Sequence, residues 1–400
     1  MSRGMRFSVV AIAVLMVVPA VLLQASAGAQ DTILTEAERQ DGWFPLFNGT
    51  DLSGWEGVGT QPDSFRVADG AIECTGKGHG WLKTEKQFAN FVLRIEYKIA
   101  SGGNSGMFIR SEREGDPAWT GMEIQILDDH GRPPTPNSAG AIYGSVAASK
   151  NVSKPAGEWN AVEITCNDER VSVVMNGTKI VDADVNDYPD PVSEHKSLKE
   201  RPREGFIGMQ NYGNNVWFRN IKLKPLPGGP GWKPLFNGVD LTGWEPHNQA
   251  KWEVKDGCIR GSGWTGHLYT TEKHKDFEMR ASIRVNKAGN SGMYVRVTDK
   301  GDRFPNNGFE AQVDNHDPNN PTGSLYGRHR ATKLITRDGD WFQMHVKVNG
   351  PHIVVDVNGQ TVVDVEDDAF PNPGWICLQQ HDPTSVIEYK TVEIKTLEDL

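Results

Sequence analysis

Cysteine is scarce: four in 400 residues are too few for a disulfide scaffold. They do not match between the halves of the chain, Cys74 and Cys166 against Cys258 and Cys377, so small apolar core positions are the expected role, with oxidation of either pair open in an exported protein. Cationic runs are missing too. With 52 acidic against 42 basic side chains and a formal net charge of -10, the chain is repelled by a phosphate backbone, which argues against nucleic-acid binding and against adsorption to an anionic membrane surface. No long segment carries a 3.6-residue hydrophobic period. There is no Gly-x-Ser-x-Gly elbow, no phosphate-cradling Gly-x-x-x-x-Gly-Lys-Ser/Thr, no His-Glu-x-x-His and no EF-hand loop, so serine-hydrolase, nucleotide-dependent and zincin chemistries are disfavoured.

One long apolar run is present, at the N-terminus. Arg3 and Arg6 precede Phe7 to Leu23, and Ala25-Ser26-Ala27 and Ala27-Gly28-Ala29 follow. Residues 1–29 read as a signal peptide cut before Gln30. A membrane anchor fits less well, because the run is short, contains Pro19 and lacks a basic stop-transfer cluster. The expected location is periplasmic or secreted, with no membrane association after cleavage.

Internal repetition dominates the rest. Trp43-Phe44-Pro45-Leu46-Phe47-Asn48-Gly49-Thr50-Asp51-Leu52-Ser53-Gly54-Trp55 returns as Trp232-Lys233-Pro234-Leu235-Phe236-Asn237-Gly238-Val239-Asp240-Leu241-Thr242-Gly243-Trp244. Gly103-Asn104-Ser105-Gly106-Met107 returns in order as Gly289-Asn290-Ser291-Gly292-Met293, and Tyr143-Gly144 as Tyr326-Gly327. The period is far too long for a solenoid. Two collinear domains are expected, residues 42–226 and 232–397, joined by a Pro/Gly linker at 227–231 that composition predicts to be exposed to proteolysis.

Each copy alternates with period two. Phe91, Leu93, Ile95, Tyr97 and Ile99 share a face, as do Phe277, Met279, Ala281, Ile283 and Val285, which predicts half-buried strands. Asn176-Gly177 and Asn358-Gly359 sit between apolar runs as type I′ turns. An all-β sandwich in each repeat follows, since such strands must bury one face against a second sheet.

The most informative strand is Gly308-Phe309-Glu310-Ala311-Gln312-Val313-Asp314-Asn315-His316, matched by Gly121-Met122-Glu123-Ile124-Gln125-Ile126-Leu127-Asp128-Asp129-His130. Spaced by two, Glu310, Gln312 and Asp314 project from one face, while Phe309, Ala311 and Val313 enter the core. The extra residue before Asp128 predicts a β-bulge near Ile126-Leu127. A solvated sheet face is the alternative, but it would accept Lys, Thr or Ser, whereas both copies place Glu, Gln, Asp and His in one order. Asn104 with Asn290, Arg110 with Arg296, Tyr143 with Tyr326 and Gln210 with Gln379 also match. Each alone has a structural explanation. Together they suit a site for a neutral sugar or keto-sugar. His316, His381 and Asp314 are a candidate set for a divalent cation, without the spacing of a strong metal motif.

Pro-Leu-Phe-Asn-Gly-x-Asp-Leu-Ser/Thr-Gly-Trp, Gly-Asn-Ser-Gly-Met, Glu-x-Gln, Tyr-Gly, Glu158-Trp159-Asn160, Gln210 and Trp217-Phe218-Arg219-Asn220-Ile221, in that order, resemble the 3-keto-disaccharide hydrolase family, twice over. The resemblance implies two tandem concanavalin-like jelly-roll β-sandwiches, export from a bacterial cell and action on glycosides already oxidised at C3. The family usually has Gln-Asp-His where the first copy has Gln210-Asn211-Tyr212, whereas the second keeps the histidine in Gln379-Gln380-His381, which leaves open a division in which one copy only binds. For such chemistry a 3-keto group acidifies the C2 proton. The expected roles are base or metal ligand for His316, His381 and His130, acid for Glu310 and Glu123, and oxyanion stabiliser for Arg296 and Arg110. Gln312, Asn290, Tyr326 and Gln379, with Gln125, Asn104, Tyr143 and Gln210, are the expected substrate contacts. Direct hydrolysis by Glu310 and Asp314, a non-catalytic tandem carbohydrate-binding protein and a structural envelope protein are the alternatives.

Overall fold

A computed structural model describes residues 33–300 and 307–397; the expected signal peptide lies outside them. The protein is all-β, two tandem jelly-roll sandwiches. In the first repeat one sheet runs in the order Thr178–Asp184, Arg170–Met175, Asn160–Asn167, Phe91–Ile99, Asn215–Pro225, Ala71–Thr75, Phe65–Ala68. The second sheet runs Trp55–Val58, Gly80–Phe88, Gly205–Asn211, Asn104–Ser111, Met122–Leu127. Alternation places Phe91, Leu93, Ile95, Tyr97 and Ile99 in one core with Met107, Ile109, Ile124 and Ile126 of the facing sheet.

The second repeat packs the same two layers but joins them into a single sheet of eleven strands. The reason is Cys258–His274, whose start pairs with Ile387–Thr396 in one layer and whose end pairs with Gly374–Gln380 in the other. It crosses at Gly263, which has φ +81, and at Gly266, where a Cβ would lie 2.6 Å from Ala250 Cβ. The first repeat breaks this path at Gly76 and Gly78 into two strands, Ala71–Thr75 and Gly80–Phe88.

The duplicated signature proves structural. Asn48 Oδ1 accepts from the Thr50 and Asp51 amides, and the Trp55 indole donates to the Leu46 carbonyl at 2.8 Å. Asn237, Asp240 and Trp244 repeat the arrangement with the Leu235 carbonyl at 2.7 Å. The two Asn-Gly turns have positive φ at both residues, as type I′ requires.

One expectation is corrected. No bulge occurs at Ile126-Leu127, because Asn104 to Ile109 pair with Leu127 to Met122 in unbroken register. Leu127 therefore stands where the second copy has Asp314, and the extra residue passes into the loop. The short Pro/Gly linker is exposed at Pro227, Pro230 and Gly231 and is tied down between them. Asn90 Nδ2 donates to the Pro227 carbonyl, the Gly228 amide donates to Glu393, and Arg280 donates to the Gly228 carbonyl, so both repeats hold it.

Candidate functional site

The site is built on Phe309–Asp314 and its neighbour Asn290–Val297. Phe309, Ala311 and Val313 are fully buried in the core. Glu310 and Gln312 face a groove of about 520 Å³, within the usual range for small-molecule sites. Antiparallel register sets Glu310 opposite Tyr294 and Gln312 opposite Gly292. A Cβ on Gly292 would come within 2.3 Å of Glu310 Oε1, so glycine in Gly-Asn-Ser-Gly-Met is what lets the carboxyl lie across the strand. The serine of that motif acts as well: Ser291 Oγ donates to the Gln379 carbonyl at 2.6 Å, fixing Gly374–Gln380 against the groove.

The groove is rich in polar groups without protein partners. Gln379 Nε2 donates to the Tyr294 hydroxyl at 2.7 Å, while Gln379 Oε1 and Asn290 Oδ1 have none. These buried acceptors suit hydroxyl groups. Burial pushes the Glu310 pKa up to about 8, and hydrogen bonding from Tyr294 offsets only part of that. Burial, then the Glu310 charge, pushes the Tyr294 pKa up. His381 lies at the mouth with Nδ1 2.9 Å from Asp382 Oδ2, a contact that orients the ring. Arg328 also lines the groove, held by two bonds of 2.7 Å to Asp367. Beside Gln379 in register is His267, fully buried, with neither ring nitrogen partnered and its pKa lowered by burial to about 4.

Of the expected residues, the groove brings together Glu310, Gln312, Asn290, Tyr326, Gln379 and His381. Five others go elsewhere. Arg296 has φ 55 at a bulge and is fully buried, donating to the Lys275, Gly350 and Phe370 carbonyls and to Asp276. Arg110 has φ 52 and donates to the Ala89 and Asp168 carbonyls and to Asn90. Both are structural tethers, with no oxyanion role. His316 is exposed and turns to Asp338 at 2.7 Å. His130 bonds the Ser153 carbonyl outside the groove. Asp314 caps a turn, accepting from the His316 and Asp317 amides and from Asn290. The proposed cation set is therefore not assembled, and among the described residues no group of three or more His, Cys, Asp or Glu side chains is placed to hold a metal.

The first repeat differs. Glu123 and Gln125 occupy the same register; Glu123 is 3% exposed where Glu310 is half-buried, whereas Gln125 at 4% is as buried as Gln312 at 2%, and Trp81, Phe108, Ala118 and Phe206 form an apolar cluster in this repeat. Phe108 stands for Tyr294, Trp81 for His267, Ser145 for Arg328 and Tyr212 for His381. Burial raises the Glu123 pKa to about 8. Asn104, Tyr143 and Gln210 are half-buried at the rim. Tyr294, Arg328, Phe370, Asp382 and His267 were missed from sequence, because agreement between copies selected the candidates and the first copy has Phe108, Ser145, Gly213 and Trp81 in place of Tyr294, Arg328, Asp382 and His267.

Residues 42–224 and 231–395 match the 3-keto-alpha-glucoside-1,2-lyase-like domain. A 3-keto-disaccharide hydrolase of Bacteroides thetaiotaomicron is 28% identical over 229 residues, covering 46% of this chain and 79% of that protein. Two solved structures from Parabacteroides distasonis, provisionally named glycosyl hydrolases, are similar. One is 26% identical, with 48% of this chain and 98% of that one covered and a TM-score of 0.44. The other is 30% identical, with 46% and 99% covered and a TM-score of 0.41.

Proposed function

Because the chain belongs to the 3-keto-alpha-glucoside-1,2-lyase-like family, we propose that its second repeat cleaves glycosides oxidised at C3, beginning with removal of the C2 proton. The observation that carries this reading is Glu310, a carboxyl held protonated at neutral pH in a sugar-sized groove shared with a carboxylate-oriented histidine.

His381 Nε2 takes the C2 proton, and the C–H electron pair moves into the ketone to give an enediolate. Arg328 supplies positive potential for the charge on O3. As the C3 carbonyl re-forms, C1–O breaks, a C1–C2 double bond remains, and Glu310 gives its proton to the departing oxygen. Water adding across that double bond completes hydrolysis. Asn290 and Gln379 accept from sugar hydroxyls. Hydrolysis by Glu310 and Asp314 as paired carboxylates is less well supported, since turn amides and Asn290 occupy Asp314. The N-terminal segment of Arg3, Arg6 and Phe7 to Leu23 supports export as part of this proposal.

The test compares a 3-keto-α-glucoside with its unoxidised parent. Aglycone release is expected from the ketone alone, falling as pH rises through about 8 because Glu310 donates only while protonated. His381→Ala should abolish exchange of the C2 proton with deuterated solvent. Glu310→Gln should keep exchange but slow release by about 10²- to 10⁴-fold. Equal cleavage of both substrates would exclude enolisation.

A further inference from the structure

The first repeat keeps the groove strand but covers it. With the Glu123 carboxyl 3% exposed, the acid of this strand is withdrawn from solvent, and what the first repeat exposes nearby is aromatic. Tyr212, at the position of the catalytic-side His381, is 55% exposed. Tyr143, equivalent to Tyr326, is held over Glu123 by donation from its amide to the Glu123 carbonyl at 2.9 Å.

Each tyrosine is braced by a second ring. Trp119 meets Tyr143 at 5.6 Å and is itself stacked on His195 at 4.1 Å with an interplanar angle of 8°. His79 meets the Tyr212 ring edge-on at 6.2 Å. Tyr143 and Tyr212 are close enough that Tyr212 contributes, after burial and Glu123, to raising the Tyr143 pKa. Asn104 and Gln210 are half-buried, and Gln210 lies opposite Trp81 in register. Below them the Trp81 side chain is 3% exposed, and its indole N–H has no protein partner.

We infer that this face of the first repeat is a non-catalytic carbohydrate site, in which the braced rings of Tyr143 and Tyr212 stack on the C–H face of a neutral, unoxidised glucoside. Rigid amphipathic rings give contact area at little conformational cost. No acid is exposed to act on the sugar, so binding without turnover follows. The choice of an unoxidised glucoside as the ligand rests on the activity proposed for the second repeat. The site gives the chain a means to hold the parent glycoside while its oxidised form is processed next door.

Titration of the full chain with maltose by calorimetry tests it. Tyr212→Ala should weaken maltose binding about tenfold or more, and Tyr212→Phe, which keeps the ring, should retain most of it. Turnover of a soluble 3-keto-α-glucoside should remain within about twofold in both variants, since the second repeat is untouched. No measurable maltose binding by the wild type, or binding lost in Gln312→Ala but not in Tyr212→Ala, would overturn the inference. Tyr212-dependent binding in a chain that never cleaves a 3-keto-glucoside would sustain it and refute the catalytic proposal instead.

Discussion

Glu310 and Glu123 share a register position and a pKa raised to about 8, yet Glu310 lines a groove while Glu123 is 3% exposed. The difference lies in their neighbours, Tyr294 and His267 around one, Phe108 and Trp81 around the other. For Glu123 the folded-state value lies above the ordinary 4.5, so folding takes up a proton. Its contribution to stability is complete below the unfolded value and is lost as pH rises towards 8, at up to ~1.4 kcal/mol per pH unit. Glu123→Gln should therefore flatten the pH dependence of chemical denaturation between pH 5 and 8 and stabilise the protein at pH 8. An unchanged slope would mean that Glu123 is ionised in the fold.

At the level of elements, the groove strand's two faces do different work. Gly292→Ala places a methyl group where the Glu310 carboxyl lies, while backbone strain stays small because Gly292 is not in the left-handed region. Turnover is expected to fall by about 10²-fold, as with other small misplacements, with thermal stability reduced by no more than about 2 kcal/mol. Ala311→Asp, one residue from Glu310 and wholly buried, should cost about 3 kcal/mol or more by burying an unpaired charge. Circular dichroism melts and turnover measured together distinguish the two. If Gly292→Ala unfolds the chain while Ala311→Asp leaves it intact, the faces are assigned wrongly.

Over the whole molecule, the repeats are tied by charged contacts as well as by the linker. Lys86 pairs with Asp356 at 2.8 Å and Lys395 with Glu204 at 3.1 Å. From the N-terminal helix Glu36–Gln40, Gln40 donates to the Gly339 carbonyl. Glu393 is the hinge pin, bound both to Arg280 at 2.8 Å and to the Gly228 amide at 2.7 Å. Limited proteolysis of the wild type should therefore spare residues 224–231. Glu393→Ala should open that segment to cleavage and separate one unfolding transition into two. Cleavage at the linker in the wild type would show that these contacts do not hold it in solution.

The strand faces and hairpin turns were legible in the sequence because they rest on local periodicity and turn chemistry, and the duplication and six of the groove residues because the two copies could be matched segment by segment. The identity of Glu310 and Gln312 as groove residues needed only alternation. Arg110 and Arg296 misled, because their left-handed backbone turns the side chain off the strand's period, and no spacing rule registers a single φ. Tyr294, Arg328 and His267 depend on cross-strand register among segments far apart in the chain, and Asp314 and His316 on a loop that spends their polar atoms locally. Which carboxyl is open was decided by packing alone: matched strands carry the same Glu-x-Gln, and only the side chains delivered by neighbouring strands leave Glu310 half-buried at a groove and Glu123 almost fully buried.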